Sequence, residues 1–290
     1  MPAKVIVNPI AGAGRALKAW KVAENYLTQN GFACDAEFTR APRHATDIAV
    51  TAVEHGYDTI IVIAGDGTVH EVVNGIVGTG VRLGVIPGGR GNDLARSAGL
   101  PKDPLAAAGV CRNGRLTHID LGQANGEYFF NVAGVGFDAE VCHQVNQGRM
   151  YINGPMTYLV YVLKMLWYYR PVVCRITLDE KTWVQPVFLL VAGNGRYFGG
   201  GMLAAPGADL YDGEFEVVIA GDVTRLEAME ALAKIYSGKH VHLPKIQTFR
   251  ARKVKVESEH PLNVETDGEV IGCVPLTMET IPRALPLWVS

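Results

Sequence analysis

"TIIVIAGDGTVHEVVNGI", residues 59–76, changes period halfway along. Thr59 to Ala64 is an apolar, β-branched run of strand length. Beyond the glycines at 65 and 67, Val69, Val72, Val73 and Ile76 recur at i, i+3, i+4 and i+7, the stripe of a helix packed on a sheet. A strand that passes through glycine straight into a helix is half of a βαβ unit. The rhythm extends outward, with strands predicted at 4–8, 34–39, 59–64 and 82–87 and helices near 15–29, 43–55 and 68–77. This alternation predicts an α/β N-terminal domain built on a parallel sheet, with ligands beyond the carboxyl ends of its strands.

Further on the pattern changes. Asn125-Gly126 lies between two apolar runs and signals a type I′ hairpin, an antiparallel device. Strands are predicted at 172–178, 184–193, 214–220 and 248–257, with helices near 155–168 and 224–237, which together suggest a mostly antiparallel β-sandwich. The expected division is 1–120 and 121–277, with a tail of about 278–290 that packs back on the first domain.

Composition excludes several classes. The chain has 290 residues, 48% of them hydrophobic and 19% charged, enough for about two folded domains and too apolar for disorder. A net charge of −2 gives no basic face for nucleic acid. Cysteines 34, 111, 142, 174 and 273 form no C-x-x-C pair, so neither a zinc site nor a disulfide framework is signalled, and a reducing cytoplasm fits. No apolar run reaches the ~20 residues of a spanning helix. "MTYLVYVLKMLWYYR" (156–170) reads either as core helix or as an apolar lip for a bilayer, and "KHVH" (239–242) as solvated loop histidines.

Three glycine-rich turns follow predicted strands: "NPIAGAG" (8–14), "AGDGT" (64–68) and "PGGRGND" (87–93). All three would gather at one sheet edge, where bare backbone N–H groups and helix N-termini suit phosphate. A cradle for anions ordinarily avoids a carboxylate, so Asp66 is either a helix N-cap or a group that meets a metal or a transferring phosphoryl. No G-x-x-x-x-G-K-[ST] or post-strand G-x-G-x-x-G is present. "YDG" (211–213) and "DGE" (267–269) each read locally as a turn.

Taken together, "AGDGTVHEVVNG", "NPIAG", "VIPGGRGNDLAR", "DLYDGEFEVVI" and "VETDGEVI" resemble the signature segments of the diacylglycerol kinase catalytic family, in family order and over nearly the full chain. The resemblance implies a nucleotide-binding first domain, a β-rich second domain for lipid and metal, and a site in the cleft between. It implies ATP as donor, Mg²⁺ as cofactor, and the hydroxyl of diacylglycerol or a related lipid as acceptor, giving phosphatidic acid or an analogue. Carried over to this numbering, Asn8, Pro9, Ile10, Ala11, Gly12 and Thr39 line the nucleotide site. Gly65, Asp66, Gly67, Thr68, Val69, His70 and Glu71 cradle phosphates, and Arg90, Asn92 and Asp93 form the third turn. Asp212, with Asp209 and Glu214, would hold Mg²⁺. Glu269, helped by Asp267, would take the proton from the lipid hydroxyl, with Asp66 as a further catalytic carboxylate. Expected partners are a lipid substrate and a membrane surface met peripherally by a cytoplasmic protein, with a homodimer left open. Ala64 and Arg90 depart from the family's glycine and threonine, and His70 stands where bacterial relatives often have asparagine. NAD kinase shares the G-G-D-G motif but would show a different third segment. A non-catalytic nucleotide- or lipid-binding regulator would be expected to lose Asp66, Asp212 or Glu269, and all three are present.

Overall fold

The computed structural model describes residues 2–146 and 155–290. Contacts divide the chain into two compact units, Met1–Leu121 with Leu210–Asp212 and Ile281–Ser290, and Gly122–Asp209 with Gly213–Thr280.

The first unit contains β1 (Ala3–Val7), α1 (Ala11–Gln29), β2 (Cys34–Phe38), α2 (His44–Glu54), β3 (Thr59–Ala64), α3 (Asp66–Ile76), β4 (Arg82–Pro87), α4 (Asp93–Ser97), α5 (Pro104–Asn113) and most of β5 (Arg115–Ala124). Its strands run parallel in the order β2-β1-β3-β4. Every residue of β3 is buried, which is why that strand reads as a continuous apolar run and not as an alternation. Ala16, Ala19, Trp20, Ala23 and Leu27 of α1 join Ala107, Ala108 and Cys111 of α5 over Val5, Val7, Ile61, Ile63 and Ile86, forming one buried layer. Helices α2 and α3 pack closely on each other, since a Cβ on Gly75 would stand 3.1 Å from that of Ala49. Helices α4 and α5 lie outside the periodic segments of the sequence; α5 is started by Asp103, whose carboxylate accepts from Ala106 N at 2.9 Å, with Pro104 in its first turn.

The second unit carries β6 (Glu127–Phe129), β7 (Val132–Gly136), α6 (Phe137–Asn146), α7 (Pro155–Tyr168), β8 (Val172–Leu178), β9 (Lys181–Val187), β10 (Leu189–Gly193), β11 (Phe215–Ala220), α8 (Arg225–Ile235), β12 (Ile246–Ala251), β13 (Lys253–Ser258), β14 (Asn263–Thr266), β15 (Glu269–Cys273) and the first part of β16 (Leu276–Val289). Asn125 and Gly126 both have positive φ (48° and 97°) between β5 and β6, the backbone a type I′ hairpin needs. One sheet is antiparallel throughout, in the order β12-β11-β10-β7-β14-β15, and a second antiparallel ladder runs β16-β13-β8-β9. The far end of β16 belongs to the first unit, where Leu287 pairs with Leu83 in parallel.

Two strands expected to be continuous, 184–193 and 248–257, are each broken. The chain leaves one sheet at Phe188 and Arg252 and enters the other as β10 and β13. Local periodicity does not register such a corner, because apolar residues continue through it. The carboxylate of Asp179 holds the second corner, accepting from Arg252 N (3.0 Å) and Lys253 N (2.9 Å). Between the sheets lies a core that includes Phe129 and Phe215, both fully buried and stacked at 5.6 Å. Phe129→Ala is expected to lower the unfolding free energy by about 3–5 kcal/mol, measured by urea titration followed by circular dichroism.

Candidate active site

In the first unit the three glycine turns meet at the carboxyl ends of the strands. Gly12 has φ +60°, and a Cβ there would collide with the carbonyl oxygen of Gly88; a Cβ on Gly89 would collide with the Cα of Gly65. The turns therefore touch backbone to backbone. Gly12, Ala13 and Gly14 all lie in the left-handed region before α1 becomes regular. Asn8 Nδ2 donates to Thr68 Oγ1 at 2.9 Å and ties the first turn to the second, while Asn92 Oδ1 accepts from Gly89 N at 2.8 Å within the third. Pro9 and Ala11 are half-buried beside an exposed Ile10, and Thr39 N donates to the carbonyl of Val7, which sets Thr39 just beyond the strand ends. Ala64 closes β3 in extended backbone with its methyl buried, so the missing family glycine is accommodated without a left-handed residue.

Asp66 does not cap its own helix. The N-cap of α3 is Gly65, and Asp66 Oδ1 accepts from Asp93 N (2.6 Å) and Leu94 N (3.3 Å), capping α4 instead. It thus fixes the third turn against the second. Glu71, assigned to the phosphates by resemblance, is committed elsewhere: its Oε2 accepts from Ala45 N at 3.1 Å, at the start of α2. Val69 and His70, also assigned there, are buried; Val69 belongs to the apolar stripe of α3, and His70 lies beside Asn74 rather than on the surface. Gly65, Gly67 and Thr68 remain at the turn itself. Asp93 is buried and faces Arg96 Nε at 3.7 Å.

Beside these turns is a cavity of about 490 Å³ whose lining includes Arg15, Lys18, Arg90, Arg96 and Lys102 and no carboxylate. Arg90 is exposed there, a permanent cation where the family has a hydroxyl. Of these cations only Arg90 was singled out from the sequence; Arg15 and Arg96 do follow the glycine turns in "GAGR" and "NDLAR", which was the available signal. Asp120 was missed as well. It is buried, its N–H donates to Leu210 O and its Oδ1 accepts from Arg283 N, both at 2.7 Å, which ties Leu210–Asp212 and the C-terminal segment into this unit.

In the second unit "DGE" forms the turn between β14 and β15. Asp267, expected to assist as a base, has both oxygens engaged: Oδ2 accepts from Phe130 N, and Oδ1 from Asn131 N and Val132 N, at 3.0–3.1 Å. Its geometry is that of an anchor. Glu269 follows on the exposed side of the hairpin. Of the metal candidates, Asp209 and Glu214 group with this unit and Asp212 with the other. The Glu214 carboxylate pairs with Arg250 (3.5 Å) and Arg252 (3.6 Å), leaving its backbone carbonyl as the oxygen it could offer. Among the described residues no group of three or more His, Cys, Asp or Glu side chains is placed to hold a metal.

The second unit also encloses an apolar cavity of about 100 Å³ between α7, α8 and the six-stranded sheet, lined by Val162, Leu166, Phe188, Phe198, Met202 and Leu232 among others. His240, expected in solvent, is buried at its edge with Nε2 3.1 Å from Ala204 O, and burial lowers its pKa; His242 is exposed. In the stretch 156–170, side chains are described from Tyr161 onward: Tyr161, Val162 and Leu166 are buried, while Leu163, Trp167 and Tyr168 are exposed. The core reading of that helix therefore holds for its buried face, and the opposite face is exposed. No helix of the described residues is long and apolar enough to cross a membrane.

Residues 2–124 match the diacylglycerol kinase catalytic domain, and 131–289 match the YegS C-terminal NAD kinase beta sandwich-like domain. A diacylglycerol kinase of Mycobacterium tuberculosis is 36% identical over 288 residues, covering 97% of this chain and 92% of that protein. The chain belongs to the diacylglycerol kinase family. Another member, from Bacillus subtilis, is 33% identical over 94% of this chain and 91% of its own length. Two solved structures from Bacillus anthracis, one titled as a diacylglycerol kinase, share the fold. Their TM-scores are 0.84 and 0.77 at 24% and 22% identity; each match covers all of this chain, with 95% and 97% of the solved chains. Membership makes this chain a kinase.

Within the family site, the glycine contacts are the most exposed to test. Gly12→Ala is expected to cost about 1–3 kcal/mol of stability and to weaken nucleotide binding, because its Cβ would need a left-handed backbone and the space of Gly88 O. Thermal unfolding and calorimetric titration with a non-hydrolysable ATP analogue measure the two effects.

Proposed function

We propose that this kinase transfers the γ-phosphoryl group of ATP to the hydroxyl of diacylglycerol or a closely related lipid. One observation carries the reading: a backbone-lined glycine cradle opens beside a cavity with five basic side chains and no acidic one in its lining. Such a surface suits a polyphosphate, whose charge is met by fixed N–H groups and permanent cations. Phosphoryl transfer asks the protein chiefly for alignment and charge neutralisation. Glu269 takes the proton of the acceptor hydroxyl, that oxygen bonds to the γ-phosphorus, and the bond to the ADP oxygen breaks. Asp212, with the backbone carbonyls of Asp209 and Glu214, would be the candidates to hold Mg²⁺, which would offset charge on the donor.

The apolar cavity under α7 and α8 is consistent with a lipid acceptor. The same helices expose Trp167, Tyr168, Leu163, Leu226 and Met229, with Arg225 stacked on Trp167 at 4.5 Å. Aromatic and apolar groups beside a cation suit the interface of a bilayer, which supports peripheral contact.

Labelled ATP with Mg²⁺ and mixed vesicles should yield labelled phosphatidic acid. Glu269→Gln should reduce kcat by about 10²-fold or more with KM for ATP little changed. Labelling of NAD with no labelling of any lipid would sink the proposal. Trp167→Ala with Leu226→Ala should reduce vesicle co-sedimentation by about tenfold while leaving the melting temperature within about 2 °C of wild type; unchanged co-sedimentation would remove the membrane contact.

A further inference from the structure

Two carboxyl groups are buried in the second unit with no counter-charge among the described residues. Asp138, on α6, and Glu265, on β14, face each other across Gly134 of β7, where an added Cβ would meet both Asp138 Oδ2 and Glu265 Oε1. Glu265 is fully buried and Asp138 nearly so (8% exposed). Asp138 Oδ1, Asp138 Oδ2 and Glu265 Oε1 accept no hydrogen bond from a protein donor. Two ionised carboxylates cannot coexist there, because each is desolvated and repels the other. A single proton held between them removes the repulsion and satisfies one oxygen of each.

The remaining oxygen of Glu265 has a definite task. Glu265 Oε2 accepts from Gly268 N at 2.7 Å, inside the turn that presents Glu269. Asp267 grips the other side of the same turn through the backbone of 130–132, and its own N–H donates to Val132 O. The turn is therefore set from both sides, and Glu265 can hold its side only while its outer oxygen is quiet toward Asp138.

We propose that Asp138 and Glu265 form a one-proton carboxyl pair that positions the 267–269 turn, and with it the proton-accepting Glu269. The inference rests on the kinase reading for its link to Glu269; the pair itself does not. Neither residue touches substrate in this proposal, so both are positioning residues. The titratable groups facing the pair are Cys142 one turn along α6, itself near Glu269 of β15, Tyr169 after α7 and Asp267 in the turn; β7 contributes none. A thiol, a phenol or a carboxyl cannot carry positive charge, so none of them substitutes for the shared proton. Burial is the first cause that raises both carboxyls, Asp138 to about 7 and Glu265 well above its ordinary value, where the charge of Asp138 adds to it. The sign follows: the folded state keeps a proton that the unfolded chain gives up near pH 4, so stability falls as pH rises from about 4 toward neutrality. Removing the last proton at alkaline pH places two charges in the site and releases the turn.

Three measurements test this on the full chain. Infrared difference spectra near neutral pH should show a protonated carboxyl band whose frequency shifts in both Asp138→Asn and Glu265→Gln, because each variant changes the partner of the shared proton. Glu265→Gln, whose amide oxygen still accepts from Gly268 and whose NH₂ donates to Asp138, should keep slow exchange of the Gly268 amide. It should also retain lipid phosphorylation within about threefold at neutral pH and lose the alkaline fall in kcat. Glu265→Leu should speed Gly268 exchange by about tenfold or more and lower kcat with KM for ATP little changed. The proposal is overturned by absence of the band in wild type, or by Glu265→Gln behaving as Glu265→Leu with the alkaline limb intact. If wild type phosphorylates no lipid, the band and the Gly268 exchange still decide the pair, and only the kinase reading fails.

Discussion

The close approach of bare backbone at the strand ends is the constraint on which the first unit depends. Gly12 lies against Gly88 and Gly65 against Gly89, with no room for a Cβ at either contact. This approach brings three loops from three separate βα crossovers onto one spot. No side chain projects from the glycines at this spot, so a ligand could approach the backbone closely. The parallel sheet supplies the positions, since consecutive parallel strands end on the same edge. Arg15, Lys18, Arg90, Arg96 and Lys102 then complete the field with cations carried on the flanking helices and loops. Such a field, with backbone dipoles on one side and permanent charge on the other, would suit a polyphosphate.

A second regularity concerns what carboxylates do in this chain. Asp66 caps α4, Glu71 caps α2, Asp103 caps α5, Asp179 holds a sheet corner, and Asp267 takes the backbone of 130–132. Glu216 likewise accepts from Gly207 N at 2.6 Å although burial raises its carboxyl. Each satisfies N–H groups that a helix end or a turn leaves open, and all but Asp103, which caps its own helix, join separate segments in doing so. In the motif segments this work and any chemical role fall on neighbouring residues. The anchors Asp267 and Glu265 hold the turn, and Glu269 follows it on the exposed side.

The second unit solves a different problem, keeping an apolar cavity beside a stable sandwich. Its sheets exchange strands at Phe188 and Arg252, and Phe188 stacks with Phe137 at 4.8 Å and Tyr169 edge-on at 5.3 Å beside the cavity. Helices α7 and α8 close that cavity with one face and expose aromatic and apolar groups on the other. A pair of helices covering a sheet can part from it at a smaller loss than two interlocked sheets can, because helix-on-sheet contacts involve no shared hydrogen-bond ladder.

The sequence by itself determined the elements whose signal is local. The period change at residues 59–76 gave β3 and α3, Asn125-Gly126 gave its hairpin, and the glycine turns gave the edge at which a phosphate would sit. Fold class and family both follow from these. Tertiary structure alone decided where strands change sheets, since apolar residues run unbroken through Phe188 and Arg252. It decided that Glu71 and Asp267 serve as anchors, that His70 and His240 are buried, and that Arg15, Lys18, Arg96 and Lys102 share a cavity. It also set Asp138 against Glu265, residues 127 positions apart by their numbering, on elements whose own patterns give no sign of the meeting. The physical reason is the same in each case. Periodicity and turn chemistry are fixed by neighbours along the chain, whereas the partner of a carboxylate, and so its charge state and task, is fixed by whichever backbone the fold brings within reach.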